Sequence, residues 1–417
     1  MRVLFTTFAL DAHFLGSVPL AWALRTAGHE VRVASQPALT PAITAAGLTA
    51  VPVGEDHALL DAMAAFETGE GSGPWNAIDL DPARPEVDDP GFLQALNDVL
   101  PQQFFAHANN DSMIDDLVRF ARYWRPDLVI WEPFTFAGAV AAKAAGAAHA
   151  RLLWGADLFL NQRIAYLRRR GSHPDALAGW LEQVLDRYGL DFDETAVRGQ
   201  WTIDQLPPGI SLPLGEPTVA MRYVPYNGTA VVPGWLREPP RRPRVCLTTG
   251  LTARDGAGYL VGSLDGLFDA IGDLDVEIVA TLNEEQRAQA ARLPANLRPV
   301  EFVPLHALLP TCSLNAHHGG AGTWSTATAY GVPQLVFPSV WDNAYRARRT
   351  AELGAGLTVP GGALTPHALR DGISRLLAEP GFADGADRLR REAATAPAPA
   401  DVVARLEKLT SRHQEAL

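Results

Sequence analysis

Cys312-Ser313-Leu314-Asn315-Ala316-His317-His318-Gly319-Gly320-Ala321-Gly322-Thr323-Trp324 opens the stretch, running on to Trp341-Asp342-Asn343, from which the fold can be read. Ser313 to Ala316 reads as a short strand. His317 to Thr323 holds three glycines in seven residues. Trp324 to Tyr330 reads as a helix closed by Gly331-Val332-Pro333, and Gln334 to Pro338 as the next strand. Glycines let a backbone turn sharply and approach a ligand. The helix start presents unpaired N–H groups and a positive dipole end. Thr323 would cap that helix or bond a ligand oxygen, and His317 and His318 add donors. Such a turn suits a diphosphate without needing a metal. It equally suits a plain glycine-rich βα turn around a satisfied core histidine, and the turn alone leaves both open.

The same alternation extends outward. Val245 to Thr249, Val276 to Thr281, Pro299 to Val303 and Gly356 to Val359 read as further strands of this half. Arg2 to Phe8, Glu30 to Ser35 and Leu48 to Val53, with helices at Val18–Ala27 and Pro41–Ala46, read as βαβαβ at the N-terminus. Asp127–Trp131, the Ala-rich helix Phe136–Ala145, Ala148–Trp154 and Val219–Tyr226 complete that half. Gly91 to Trp124 reads as helical, and 174–189 as an amphipathic helix. Residues 67–90, rich in glycine, proline and acid, read as a mobile surface loop. The first βα turn lacks the G-x-G-x-x-G fingerprint, which argues against a dinucleotide cofactor. The expected class is α/β, two Rossmann-like doubly wound domains.

Composition narrows the partners. The chain has 417 residues, 47% hydrophobic and 20% charged, with net charge −12. That is long enough for two α/β domains, and the acidity argues against nucleic acid. The two cysteines, Cys246 and Cys312, suggest buried thiols in a reducing cytoplasm. No apolar run approaches the ~18 residues of a membrane span, and no signal-peptide pattern appears. Asp79-Leu80-Asp81 and Asp273-Leu274-Asp275 have the Asp-x-Asp spacing of a metal site, but neither follows a first-domain strand, so both read as acidic turns.

Three polar residues stand where a doubly wound sheet places chemistry. His13 lies in the loop after the first strand. A neutral imidazole there can take a proton from a hydroxyl, or be an ordinary loop histidine. Glu132 ends the strand Leu128–Trp131 and would point at the same cleft; Asp11 is its rival as the carboxylate orienting His13. Trp131, Phe134, Phe136 and Trp154 could wall a flat apolar pocket or simply fill the core.

Taken together, Phe302-Val303-Pro304-Leu305, Leu308-Leu309-Pro310, His317 to Thr323, Gly331 to Gln334, Trp341-Asp342-Asn343 and Gly354-Ala355-Gly356 resemble the donor segment of GT-B fold, nucleotide-sugar-dependent antibiotic glycosyltransferases. The N-terminal half matches as well. The resemblance implies an inverting transferase in which His13 is the base, oriented by Glu132 or Asp11. It implies an acceptor domain at 1–227, a linker at 228–243, a nucleotide-sugar domain at 244–382, and helices at 383–417 crossing back to the first domain. On the donor side it implies a phosphate loop at Thr249, Gly250 and Thr252. Phe302 and Val303 would receive the base, and His317, beside His318, would meet the diphosphate above Gly319, Gly320, Ala321, Gly322 and Thr323. Asp342 and Asn343 would meet the sugar. Gly16 stands where many relatives have proline, and Asn343 where glucose-using relatives have glutamine, which fits a deoxysugar.

Phe8 to Phe14, Ala34 to Thr40, Asn109 to Asp115 and Trp131 to Phe136 look like the anthracycline branch, whose members attach TDP-activated amino-deoxysugars to polyketide aglycones. Macrolide aglycone transferases are next nearest. The resemblance implies a TDP-sugar co-substrate with no metal and no permanently bound cofactor. It also brings in a cytochrome-like helper protein, with 60–115 as its docking region, and leaves open whether the chain is a homodimer. Neither nucleic acid nor membrane is an expected partner. Two rivals of other classes share the donor site: a nucleotide-sugar 2-epimerase and a non-catalytic nucleotide-sugar-binding protein.

Overall fold

A computed structural model describes residues 1–68, 79–248, 264–289, 292–338, 341–359 and 365–416. Short apolar runs buried on both faces favour parallel strands, and the first half builds a seven-stranded sheet from them. The strands are β1 (Arg2–Thr6), β2 (Glu30–Ser35), β3 (Ala50–Pro52), β4 (Leu128–Trp131), β5 (Ala148–Leu152), β6 (Trp201–Asp204) and β7 (Thr218–Ala220). Their order is β3-β2-β1-β4-β5-β6-β7. The order reverses between β1 and β4, which opens a crevice at the carboxyl ends of those two strands. Thr6 pairs with Trp131 across them, so the loops leaving both strands start side by side.

The second half repeats the plan with six strands: β8 (Arg244–Thr248), β9 (Glu277–Thr281), β10 (Leu297–Val300), β11 (Leu314–His317), β12 (Gln334–Val336) and β13 (Gly356–Thr358). They run in the order β10-β9-β8-β11-β12-β13. Here the reversal falls between β8 and β11, and His317 pairs with Thr248. The molecule is thus a GT-B fold, two doubly wound parallel sheets with flanking helices.

Several elements differ from the sequence reading. β6 went unread because Trp-Thr-Ile-Asp is too short to show a period. The expected helix over 91–124 is broken. Pro90–Leu100 is followed by a π-helical turn, Pro101–Phe105, because Pro101 offers no N–H to the preceding turn. Asn110 then caps a new helix, Asp111–Trp124, by accepting the Met113 N–H at 2.8 Å. The helix Leu158–Arg169 was also unread; Asp157 caps it. Within 67–90 the structure has the end of a helix, Leu59–Thr68, and a short 3-10 turn, Pro85–Asp88.

Apolar clusters cover both faces of the first sheet and both faces of the second. A further cluster joins the halves, with Leu80, Ala156, Leu206 and Ile210 from one and Trp324, Tyr345 and Leu389 from the other. Polar contacts reinforce that seam. Arg348 donates to both oxygens of Asp81 at 2.7 and 2.8 Å, and the Tyr345 hydroxyl donates to the Ile210 carbonyl at 2.9 Å. The last helix, Pro399–Ala416, packs on the helix Val18–Thr26 and on β5. His29 lies 3.1 Å from Glu407 there.

Candidate active site

The crevice between β1 and β4 brings His13 and Glu132 together. His13 Nδ1 is 2.9 Å from Glu132 Oε1. Glu132 is 5% exposed, and a buried carboxylate needs donors. It has four: besides His13, the Trp154 indole N–H at 2.8 Å, the Phe134 backbone N–H at 2.9 Å and the Thr135 hydroxyl at 2.8 Å. A carboxylate only accepts, so the ring nitrogen facing it carries the hydrogen. In the neutral ring the other nitrogen, Nε2, then keeps the lone pair. Asp11 is exposed in the first turn of a four-residue helix, Asp11–Phe14; the carboxylate bonded to His13 is Glu132.

The loop bearing His13 is held at its start. Gln36 Oε1 accepts the Ala9 N–H at 2.7 Å, and His57 Nε2 is 3.1 Å from the Ala9 carbonyl. Rings of Phe8 and Trp154 flank the imidazole, with centroids at 4.7 and 4.9 Å. Thr135 adds a link between strands: its hydroxyl accepts the Phe8 N–H at 3.0 Å while donating to Glu132. Nothing in the local sequence signals these long-range bonds.

The expected aromatic wall divides in two. Trp131 and Phe136 are sealed in the core, with the Trp131 indole N–H directed at His149 Nδ1, 3.3 Å away. Trp131 ends β4 and borders the His13–Glu132 pocket, but its side chain is fully buried and offers no exposed face as a wall. Phe134 and Trp154, on the loops after β4 and β5, line a pocket with Pro133, Phe159, Trp341 and Asp342. Trp341 stands in the Trp341-Asp342-Asn343 run, which by itself assigns it no role. It packs on Phe104 and Phe134, with ring centroids at 5.4 and 5.6 Å, and holds a left-handed backbone, φ 53°. Such a φ is costly for a bulky residue and concentrates at ligand sites.

On the second sheet the glycine turn follows β11. The expectation put His317 against a diphosphate. Its ring is instead 0% exposed and doubly engaged. Nε2 is 2.8 Å from Gln334 Oε1, and Nδ1 accepts the Gly319 N–H at 3.1 Å. Burial pushes His317 down to about 3. His318 is 9% exposed and stacks over Gly320, where a Cβ would come within 2.6 Å of its Nε2. Burial, and then the charge of Arg346, push His318 down to about 4. Both rings are neutral near pH 7.

Thr323 does not cap the helix. The helix runs Ala321–Tyr330 with Gly320 at its N-cap, so Thr323 lies within the first turn. The first intrahelical bond is Trp324 N–H to Gly320 O, 2.9 Å. The N–H groups of Ala321, Gly322 and Thr323 therefore have no intrahelical acceptor. Phe302, just past β10, is 44% exposed, while Val303 is buried. The expected loop residues Thr249, Gly250 and Thr252 lie outside the described residues.

Asp342 and Asn343 sit at the seam. Asp342 Oδ2 accepts the Ala156 N–H at 2.8 Å and lies 2.5 Å from Arg346 Nε. Asn343 donates to the His318 carbonyl at 3.3 Å and accepts from Arg346 at 2.9 Å. The Asp-x-Asp pairs are engaged with arginines: Asp81 with Arg348, Asp273 with Arg370 and Asp275 with Arg242. Among the described residues no cluster of three His, Cys, Asp or Glu is placed to hold a metal ion. Among them, too, no helix is long and apolar enough to cross a membrane.

Comparison with known proteins places the chain in a family. The model of the erythromycin biosynthesis protein CIII-like N-terminal domain matches residues 22–250, and that of the corresponding C-terminal domain matches residues 265–409. The chain is 54% identical to an aklavinone 7-beta-L-rhodosaminyltransferase of Streptomyces galilaeus, over 99% of this chain and 97% of that one. It is 52% identical to a 10-deoxymethynolide desosaminyltransferase of Streptomyces venezuelae, over 99% and 98%. The crystal structure of the glycosyltransferase VinC in complex with dTDP superposes with a TM-score of 0.88 at 43% identity, over 99% of this chain and all of that one.

Proposed function

The chain belongs to the erythromycin biosynthesis protein CIII-like glycosyltransferases, and on that footing we propose that it moves an amino-deoxysugar from TDP to a hydroxyl of an anthracyclinone. The observation that carries this reading is the shared pocket. Trp154, bonded to the acid of the His13–Glu132 pair, and Phe134 face Trp341 and Asp342 of the other half across it. The relatives named for aklavinone and for 10-deoxymethynolide support an anthracyclinone and a macrolactone respectively. The anthracyclinone is favoured because its transferase is slightly the more similar. The dTDP in the VinC complex supports thymidine diphosphate as the leaving group.

In this mechanism the acceptor hydroxyl attacks the anomeric carbon as the bond from that carbon to the diphosphate oxygen breaks. The hydroxyl proton passes to His13 Nε2. Glu132, held by four donors, fixes the ring and steadies the imidazolium that forms. Attack from the face opposite the diphosphate inverts the anomeric centre. The N–H groups of Ala321 to Thr323 and the helix dipole receive the charge growing on the leaving group. Because the His317 and His318 rings are neutral, that stabilisation comes from the backbone. His317 supports the turn, and His318, 9% exposed, is the less buried of the two. Asp342 is the group to which a protonated sugar amine would turn. Residues 1–227 form the acceptor half and 244–382 the donor half, joined by 228–243, with 383–417 returning to the first; the strand ranges and the packing of the last helix, Pro399–Ala416, support that division, whereas the helix Gly381–Ala393 still packs on the second half.

The test is product formation by mass spectrometry. A TDP-amino-deoxysugar is offered with anthracyclinones and macrolactones, with and without a cytochrome-like helper, to the wild type and to His13→Ala. A glycoside lost in the variant supports the reaction and the base. Full activity in the variant removes His13 from the role, and isomerised donor without glycoside replaces transfer by epimerisation.

A further inference from the structure

A short helix, Leu305–Leu308, follows Phe302-Val303-Pro304, the residues expected to receive the base. Pro304 stands at its N-cap and makes no side-chain cap. The first turn closes with the Ala307 N–H on the Pro304 carbonyl at 2.9 Å, so the His306 N–H finds no acceptor within the helix. Asn227, 79 positions earlier in the chain, supplies one. Its Oδ1 accepts the His306 N–H at 2.9 Å and lies 3.1 Å from His306 Nδ1. This is the bond an N-cap asparagine makes, delivered here from a distant segment.

The other end of the same amide reaches the helix that follows the glycine turn. Asn227 Nδ2 donates to the Thr326 hydroxyl at 3.3 Å. Thr326 is fully buried, and its hydroxyl donates in turn to the Gly322 carbonyl at 2.6 Å. Gly322 lies in the first turn of Ala321–Tyr330, the turn whose N–H groups would meet the diphosphate. The Tyr223 hydroxyl comes to the same turn: a Cβ on Gly322 would lie 3.8 Å from it. The stretch carrying Tyr223 and Asn227 is itself anchored outside the second sheet. Tyr226 packs on the first-sheet cluster that holds Val219 and Met221, and the Arg222 N–H donates to the Pro397 carbonyl at 2.7 Å.

We propose that Asn227 is a positioning residue of the donor site: its amide fixes the distance between the loop that receives the base and the helix end that receives the diphosphate. The proposal rests on the donor reading, with the base at Phe302 and the diphosphate at Ala321 to Thr323. A nucleoside diphosphate touches both elements at once, so its affinity depends on their separation as well as on each contact. Two elements free to drift would have to be ordered on binding, and a tie made beforehand removes that cost. Asn227 acts through the two elements, from the end of the first half, and the first half thereby helps to set the donor site of the second.

The test is titration calorimetry with TDP, beside steady-state KM values for a TDP-amino-deoxysugar and an anthracyclinone. The proteins are the wild type, Asn227→Ala, Thr326→Val, Thr326→Ser and the double variant Asn227→Ala with Thr326→Val. Asn227→Ala is expected to weaken TDP about tenfold and to raise the donor KM alike, a change of the size one hydrogen-bonded link confers. The aglycone KM should not move. Thr326→Val cuts the link but leaves the His306 cap in place, and should weaken TDP by a similar factor; Thr326→Ser should restore it. The double variant should bind TDP no more weakly than Asn227→Ala, because both changes remove the same link. Wild-type TDP affinity in Asn227→Ala and Thr326→Val, with only a lowered melting temperature, would make Asn227 a helix cap and overturn the proposal while leaving the donor reading intact. Equal losses in both KM values would overturn it as well, since they would report a general loosening. A wild type that binds no TDP would overturn the donor reading and the proposal with it, but not membership of the family.

Discussion

Asp342, at the start of the helix Asn343–Glu352 in the second half, accepts the backbone N–H of Ala156 in the first half at 2.8 Å. The approach depends on Gly155: a Cβ there would lie 2.3 Å from Asp342 Oδ2. Gly155→Ala is therefore expected to push Asp342 off Ala156 and open the seam. The crowding should cost about 1–3 kcal/mol of stability and lower kcat/KM. Asp342→Ala should do more, because it strands the buried Arg346 guanidinium; breaking such a pair costs about 3–5 kcal/mol. Urea melts and steady-state kinetics check both. A Gly155→Ala enzyme with wild-type stability and kcat/KM would show that the contact does not hold the working conformation.

Glu132 and Thr135 set the tautomer and aim of His13, so their removal should act on kcat rather than on KM. Glu132→Gln keeps the shape but loses the charge that steadies the imidazolium, and is expected to lower kcat by about 10²-fold or more. Thr135→Val cuts the link from Phe8 to Glu132 and should lower kcat by about tenfold, comparable to the loss on removing a partner that orients a metal-bound histidine. Thr135→Ser should restore it. If Thr135→Val and Thr135→Ser behave alike, the hydroxyl is not the operative group.

How far these relations could be read in the sequence depends on their range. His13 and Glu132 were legible because each follows a strand, and adjacent strands at a reversal bring their loops together whatever else the chain does. Thr135 bonding Phe8, Trp154 bonding Glu132 and Asp342 bonding Ala156 join residues 22 to 186 positions apart. Local pattern carries no trace of such pairings. His317 shows the converse. The motif marked it, but its ring is buried against Gln334 at the start of β12, and only the burial shows His318 to be the less enclosed of the two. The helix break at 101–110 was within reach, since Pro101 and the Asn109-Asn110 pair are ordinary punctuation.

Buried neutral histidines make stability fall in mild acid. His317 and His318 are pushed down to about 3 and about 4 in the folded protein, against about 6.5 in an unfolded chain. Well above about pH 6.5 neither state binds the proton and there is no contribution. Below it the unfolded chain takes up protons that the folded protein refuses, so the stability present at neutral pH is lost as pH falls, by up to about 1.4 kcal/mol per unit for each histidine. Urea melts between about pH 7 and about pH 5.5 keep most carboxylates out of range. The slope for His318→Gln should be shallower than wild type by about a quarter of a proton at about pH 7, rising to nearly one at about pH 5.5. An unchanged slope would mean that His318 titrates normally in the fold.

Phe302 is 44% exposed although it is large and apolar, and its neighbour Val303 is buried. Packing therefore does not account for the ring. It stands just beyond the carboxyl end of β10 (Leu297–Val300), the edge of a doubly wound sheet where ligands bind. A flat ring left open there suits the face of a pyrimidine, and stacking of a base on an aromatic side chain contributes about 1–3 kcal/mol. Phe302→Ala should then weaken TDP binding by about tenfold or more, read by titration calorimetry, with the melting temperature of the unliganded protein nearly unchanged. Phe302→Tyr keeps the ring and should bind as wild type. The opposite pattern, TDP affinity retained in Phe302→Ala while the unliganded protein loses stability, would assign the ring to packing and leave the base to be received elsewhere along the carboxyl edge of the second sheet.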